Sequence, residues 1–81
     1  MEKKKKIEKK NPMMIAFWTV NDFVKNGKEF TMEELENEVI KRGGIFRIAP
    51  NYPLRDFIKE LVYDGILRRE GNKFVVIKGE R

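Results

Sequence analysis

Cysteine and histidine are both absent from the 81 residues. Without cysteine no disulfide can staple the fold, and without either residue the usual ligands of zinc, copper and haem are missing, along with thiol and imidazole catalysis. No cofactor is therefore expected. Proline occurs only at positions 12, 50 and 53. No apolar run approaches the roughly 20 residues a membrane span needs, so no membrane association is expected. The lysine-rich start is followed by "NPMMIAFW", too short and too interrupted for the apolar core of a secretory signal, and the expected location is cytoplasmic. What is present is a mixture of 41% hydrophobic and 38% charged residues, which suits a folded domain rather than a disordered chain. At this length one domain fits, and its core stabilises the fold by only a few kcal/mol.

The net charge of +5 is unevenly spread. Residues 1 to 10, "MEKKKKIEKK", hold six lysines against two glutamates, whereas the other 71 residues hold twelve basic and eleven acidic side chains. The chain therefore reads as a basic flexible tail, residues 1–11, ahead of a nearly neutral domain, residues 12–81. Lys3, Lys4, Lys5 and Lys6 are either a solvated end that aids solubility or an arm that contacts phosphate. Heavy use of Lys and Glu without Cys or His fits a thermophile source.

Asn11-Pro12 is a helix start, because Asn can accept a bond from a free backbone N–H and Pro at the first position loses nothing there. The first helix is predicted from Pro12 to Asn26, with Gly27 as its left-handed stop. Met13, Ala16, Phe17, Val20, Phe23 and Val24 fall within one arc and are predicted to face the core. Met14, Ile15 and Trp18 land on the opposite side. They point either to the interface of a symmetric homodimer or to a face covered by another part of the chain. "KEF", residues 28 to 30, is a short candidate strand. Thr31 and Glu34 have the capping-box spacing, so a second helix is predicted from Met32 to about Arg42, burying Met32, Leu35, Val39 and Ile40 and ending at Gly43-Gly44. Its outer face carries Glu33, Glu34, Glu36 and Glu38, which would repel phosphate. "IFRIAPN" is an apolar connector of undetermined shape, held extended by its prolines. A third helix from about Pro53 to Asp64 spaces Leu54, Phe57, Ile58, Leu61 and Val62 as one buried stripe and stops at Gly65. Strands near 66–70 and 73–77, around a Gly71-Asn72 turn, form a β-hairpin.

Three helices, a short strand after the first and a terminal hairpin follow the order of the winged helix-turn-helix superfamily. "FTMEELENEVI" followed by "PLRDFIKELVYDGILRREGNKFVV" resembles its pattern, with Leu61, Gly65 and Leu67 leading from the third helix into the wing. The resemblance covers residues 12 to 77 and implies a small α+β domain with three helices and a C-terminal β-hairpin wing. The segment between helices two and three is longer than in a compact helix-turn-helix, whose turn has three or four residues. The family's third helix usually lies in the major groove of double-stranded DNA, with the hairpin on the adjacent backbone or minor groove. Carried over to this chain, Arg55 would read guanine, Asn51 adenine, and Lys59 would hold a phosphate, beside Tyr52. Arg68, Arg69, Asn72 and Lys73 would form the basic wing, and Arg47 would assist from the connector.

Asp56, Glu60 and Asp64 share the third helix with Arg55 and Lys59, so its charge is mixed. Two functions stay open: DNA binding as a transcription regulator, and a protein-interaction or assembly module without DNA readout. An enzyme is not expected. The only glycine pair, Gly43-Gly44, lacks a phosphate-loop signature, no nucleophile is set beside a base, and a chain this small is expected to lack a pocket of ordinary size.

Overall fold

Asn11 and Gly27 bracket the first helix in the computed structural model, which describes residues 11–77. Helix α1 runs Pro12–Asn26; the Asn11 side chain accepts the Met13 N–H at 2.9 Å, and Gly27 closes the helix at φ 71°. Strand β1, Phe30–Thr31, leads directly into helix α2, Met32–Lys41. The capping box forms as its spacing predicts. Thr31 Oγ1 accepts the Glu34 N–H, and the Glu34 carboxylate accepts the Thr31 N–H, both at 3.0 Å. At the other end Gly43 takes φ 91°, and the N–H groups of Gly43 and Gly44 donate to the carbonyls of Ile40 and Val39. These bonds satisfy two carbonyls that the helix leaves orphaned.

The connector after α2 contains regular structure that its sequence pattern did not specify. Strand β2, Arg47–Ala49, pairs antiparallel with strand β3, Tyr52–Pro53, across a register irregularity. The Phe46 carbonyl accepts the Leu54 N–H at 2.9 Å and ties the start of this small hairpin to the helix that follows it. Helix α3, Leu54–Tyr63, buries Leu54 and Ile58. Strands β4, Leu67–Glu70, and β5, Lys73–Val76, then form the terminal hairpin around Gly71-Asn72, with Gly71 at φ 65°. Strand β1 pairs with the far edge of β5, Phe30 opposite Phe74, giving a three-stranded antiparallel sheet in the order β1-β5-β4.

Each helix and this sheet contribute to one core: Ala16 and Val20 from α1, Phe30 from β1, Leu35 and Val39 from α2, Leu54 and Ile58 from α3, and Leu67 from β4. Phe30 meets Phe23 edge-on, with ring centroids 5.0 Å apart. Thr19 is fully buried, but its hydroxyl donates to the Ile15 carbonyl at 2.7 Å, so no polar group is stranded there. The result is a small α+β domain of three helices and antiparallel sheets. No described helix is long and apolar enough to cross a membrane.

Two residues face the other way from their expected sides. Ile15, expected with Met14 and Trp18 on an outward face, is only 7% exposed. The Gly43-Gly44 turn closes over it, so α1 is covered on two flanks rather than one. Ile40, expected in the core, is 58% exposed instead. The lysine arm Lys3 to Lys6 lies outside the described residues, as do residues 78–81.

The fit at Gly44 is close enough to test. A Cβ there would lie 2.9 Å from Val39 Cγ1, 3.0 Å from Ile15 Cγ2 and 3.1 Å from the Pro12 carbonyl oxygen. Gly44→Ala is expected to destabilise the fold by about 1–3 kcal/mol through overpacking. Urea denaturation of the variant beside wild type checks this, and unchanged stability would mean that the turn does not pack against α1.

Candidate nucleic-acid interface

With Leu54 and Ile58 buried, α3 turns Arg55, Asp56, Lys59, Glu60 and Tyr63 outward. Residues four apart on a helix share a side, which sorts these groups by charge: Arg55 and Lys59 run along one flank, Asp56 and Glu60 along the next. The cationic flank faces the terminal hairpin. There, strand alternation decides which basic residue joins it. Leu67 points into the core and Arg69 lies two residues on, so Arg69 shares the inner side while Arg68 occupies the outer one.

Arg55, Lys59, Arg69 and Asn72 thus rim a groove of about 380 Å³ between α3, the start of α2 and the hairpin. Its floor is apolar, formed by Met32, Ile58, Val62 and Phe74. No carboxylate lines it among the described residues. A groove of this size departs from the expectation that so short a chain would lack a pocket of ordinary volume. It lies between α3 and the hairpin, next to the buried Leu67.

The cations are partly engaged within the chain. Arg55 is 70% exposed at its side chain, and its Nε lies 3.3 Å from a Glu36 carboxylate oxygen on α2. Arg69 Nε donates to the Gly71 carbonyl at 3.2 Å. Lys73, on the hairpin, lies 3.2 Å from Glu29, and Arg68 pairs with Glu70 at 2.6 Å. Arg47 donates to the Pro50 carbonyl at 3.4 Å and Asn51 is exposed at the β2–β3 turn, but neither residue lines the groove. Of the nine residues singled out for DNA contact, the fold gathers Arg55, Lys59, Arg69 and Asn72 into this groove. It sets Arg47, Asn51, Tyr52, Arg68 and Lys73 outside it.

Tyr52 belongs to the acidic flank. It lines a shallow depression with Asp56, Lys59, Glu60 and Tyr63, and its ring stands edge-on to Phe57 at 6.0 Å. Burial, followed by the carboxylates of Glu60, Asp56 and Asp64, pushes its hydroxyl pKa up. This side of α3 is therefore anionic and opposes a phosphate backbone. Lys59 stands at the border between the two flanks and lines both.

The groove floor and Glu36 were not legible as site residues in the sequence. Met32, Ile58 and Val62 carried a signal only as core positions, and Glu36 lies 19 residues from Arg55 with nothing local to pair them. Comparison of the chain with protein-family models, curated proteins and solved structures found no match.

The shifted tyrosine gives a pH test. The fold disfavours ionised Tyr52, so its stability is intact below a pH of about 10 and falls as pH rises through the higher folded-state value. In a tyrosinate absorbance titration, the component lost in Tyr52→Phe is expected to titrate above about 10. A component at or below that value would mean that Tyr52 does not sit against the acidic flank.

Proposed function

We propose that this chain binds double-stranded DNA as a small winged helix-turn-helix domain acting in transcription regulation, with α3 toward the major groove and the β4–β5 hairpin as the wing. The observation that carries the reading is the cationic rim of Arg55, Lys59 and Arg69, with the Asn72 amide beside it, drawn from α3 and the hairpin, with the acids of α3 on another flank. The described residues hold ten basic and ten acidic side chains, so attraction to a polyanion depends on this segregation rather than on net charge. Three helices, a short strand after the first and a terminal hairpin support the reading, and the β2–β3 hairpin between α2 and α3 is an addition to that order. In this reading Arg55 approaches base edges, Lys59 and Arg69 hold phosphates, and the Lys3 to Lys6 arm adds phosphate contacts from outside the described body.

Glu36 competes with DNA for Arg55, whose Nε lies 3.3 Å from its carboxylate. An exposed ion pair contributes about 0.2–1 kcal/mol, so the polyanion can displace it and the pair acts as a brake. Random-sequence duplex should bind with a steep salt dependence. Lys59→Ala and Arg69→Ala are each expected to lower the log–log salt slope by about 0.9. Arg55→Ala is expected to cost about 1–3 kcal/mol of discrimination at one base pair, while Glu36→Gln should strengthen binding by up to about fivefold. Binding that is abolished by deletion of residues 1–10 yet indifferent to Arg55 and Arg69 would remove α3 and the hairpin as the reading surface.

A second reading, an interaction surface on α1, is favoured by Met14 and Trp18, which remain 41% and 48% exposed on one side of the helix. With Ile15 covered by the chain itself, these two residues are what remains of the expected homodimer face. Sedimentation of wild type beside Trp18→Glu tests this. A wild-type dimer that the variant converts to monomer supports a self-associating α1 face, whereas a wild-type monomer at tens of micromolar removes it.

A further inference from the structure

The same groove has a property that DNA contact does not use. A phosphodiester backbone would engage its rim, while the floor of Met32, Ile58, Val62 and Phe74 would gain nothing from so polar a partner. We propose that the groove between α3 and the hairpin binds a small amphiphilic anion, an apolar body carrying one carboxylate or phosphate, and that it does so in place of DNA. The competition with DNA rests on the function proposed above; the binding of the anion does not.

Size, polarity and charge each favour this class of ligand. A volume of about 380 Å³ lies in the range of small-molecule sites, roughly 300–1,000 Å³, and is small for a folded partner. The floor draws on three elements: Met32 from α2, Ile58 and Val62 from α3, and Phe74 from β5. An acyl or ring body laid across it would remove apolar surface from water on both sides. Around that floor stand two guanidinium groups and one ammonium, with Asn72 as a further donor. Arg guanidinium matches carboxylate and phosphate oxygens in a two-bond fork, so one head group could bridge Arg55 and Arg69. Inorganic phosphate would leave the floor wet, and a neutral apolar molecule would leave the cations without a partner. Only a ligand with both halves satisfies the whole groove.

An anion held there would occupy Arg55, Lys59 and Arg69, the side chains that the DNA reading requires. Ligand and duplex would exclude each other, and the small molecule would act as a release signal without any change of fold.

The test is a methyl NMR titration of the full chain with octanoate and with octyl phosphate, compared with octanol and inorganic phosphate. Both amphiphilic anions are expected to shift the Met32, Ile58 and Val62 methyls saturably. Octanol and inorganic phosphate should bind at least about tenfold more weakly, since each lacks one half of the interaction. Whichever of the two amphiphiles binds tighter identifies the head group. Arg69→Gln, an exposed substitution, should weaken the anions but not octanol. Octanol binding as tightly as octanoate, shifts centred on Trp18 instead of the groove, or no saturable binding would each overturn the proposal. Displacement of labelled duplex by octanoate is read separately. A duplex that stays bound at saturating octanoate overturns the competition. If no duplex binds at all, the DNA reading fails while the anion site is still decided by the methyl shifts.

Discussion

The Gly65 N–H donates to the Val62 carbonyl at 3.1 Å, and the Ile66 N–H to the Leu61 carbonyl at 2.9 Å. With Gly65 at φ 84°, these bonds end α3 and send the chain back beside it. Ile66 is then clasped by the Ile77 N–H at 2.9 Å, and Leu67, next in line, is almost wholly buried. The distance between α3 and the hairpin is thus fixed at the hairpin's base, and the groove opens above it. That spacing leaves Val62 and Phe74 half-buried and keeps Arg69 on the groove rim.

Ion pairs recur over the described surface, whose ten basic and ten acidic side chains balance. Arg42 shows the structural use of such a pairing. It bridges Asp22 on α1, at 2.8 Å, and Glu38 on α2, at 2.9 Å. These hydrogen bonds, that to Asp22 foremost, push its already high pKa further up, and the guanidinium clamps two helices. The Arg55–Glu36 pair has the same chemistry at a longer 3.3 Å and with a much more exposed arginine. A pair of that kind is cheap to break, which suits a group that must change partners.

Much of the fold was legible because short-range chemistry sets it. Asn11-Pro12, the Thr31–Glu34 capping box and the glycine stops fix the helix limits, and the Gly71-Asn72 turn fixes the hairpin register, with each signal lying within a few residues of its effect. Long-range placement was not legible in the same way. Ile15 falls on the outward side of a helical wheel that assumes a single buried face, yet the turn at Gly43-Gly44 gives α1 a second one. The β2–β3 hairpin depends on Phe46 meeting Leu54, which no periodicity in "IFRIAPN" announces. Within the candidate site, the separation of Arg69 from Arg68 was available from the alternation begun by Leu67. The pairing of Arg55 with Glu36 was not, because it needs the angle between α2 and α3.

Lys59 shows why the two flanks of α3 cannot act independently. It borders the apolar groove on one side and the Tyr52, Asp56 and Glu60 depression on the other. Its ammonium group can therefore be drawn toward the acids or toward an incoming anion, and the four-carbon stem allows both without moving the backbone. An anion entering the groove competes with Glu36 for Arg55. One of the three rim cations, Arg55, is held by a carboxylate outside the groove, so its share of the affinity for any polyanion is set by a difference between two attractions. A ligand that also buries the floor gains a contribution that this carboxylate cannot offset, and for this reason the apolar half of the groove matters as much to its selectivity as the charged half.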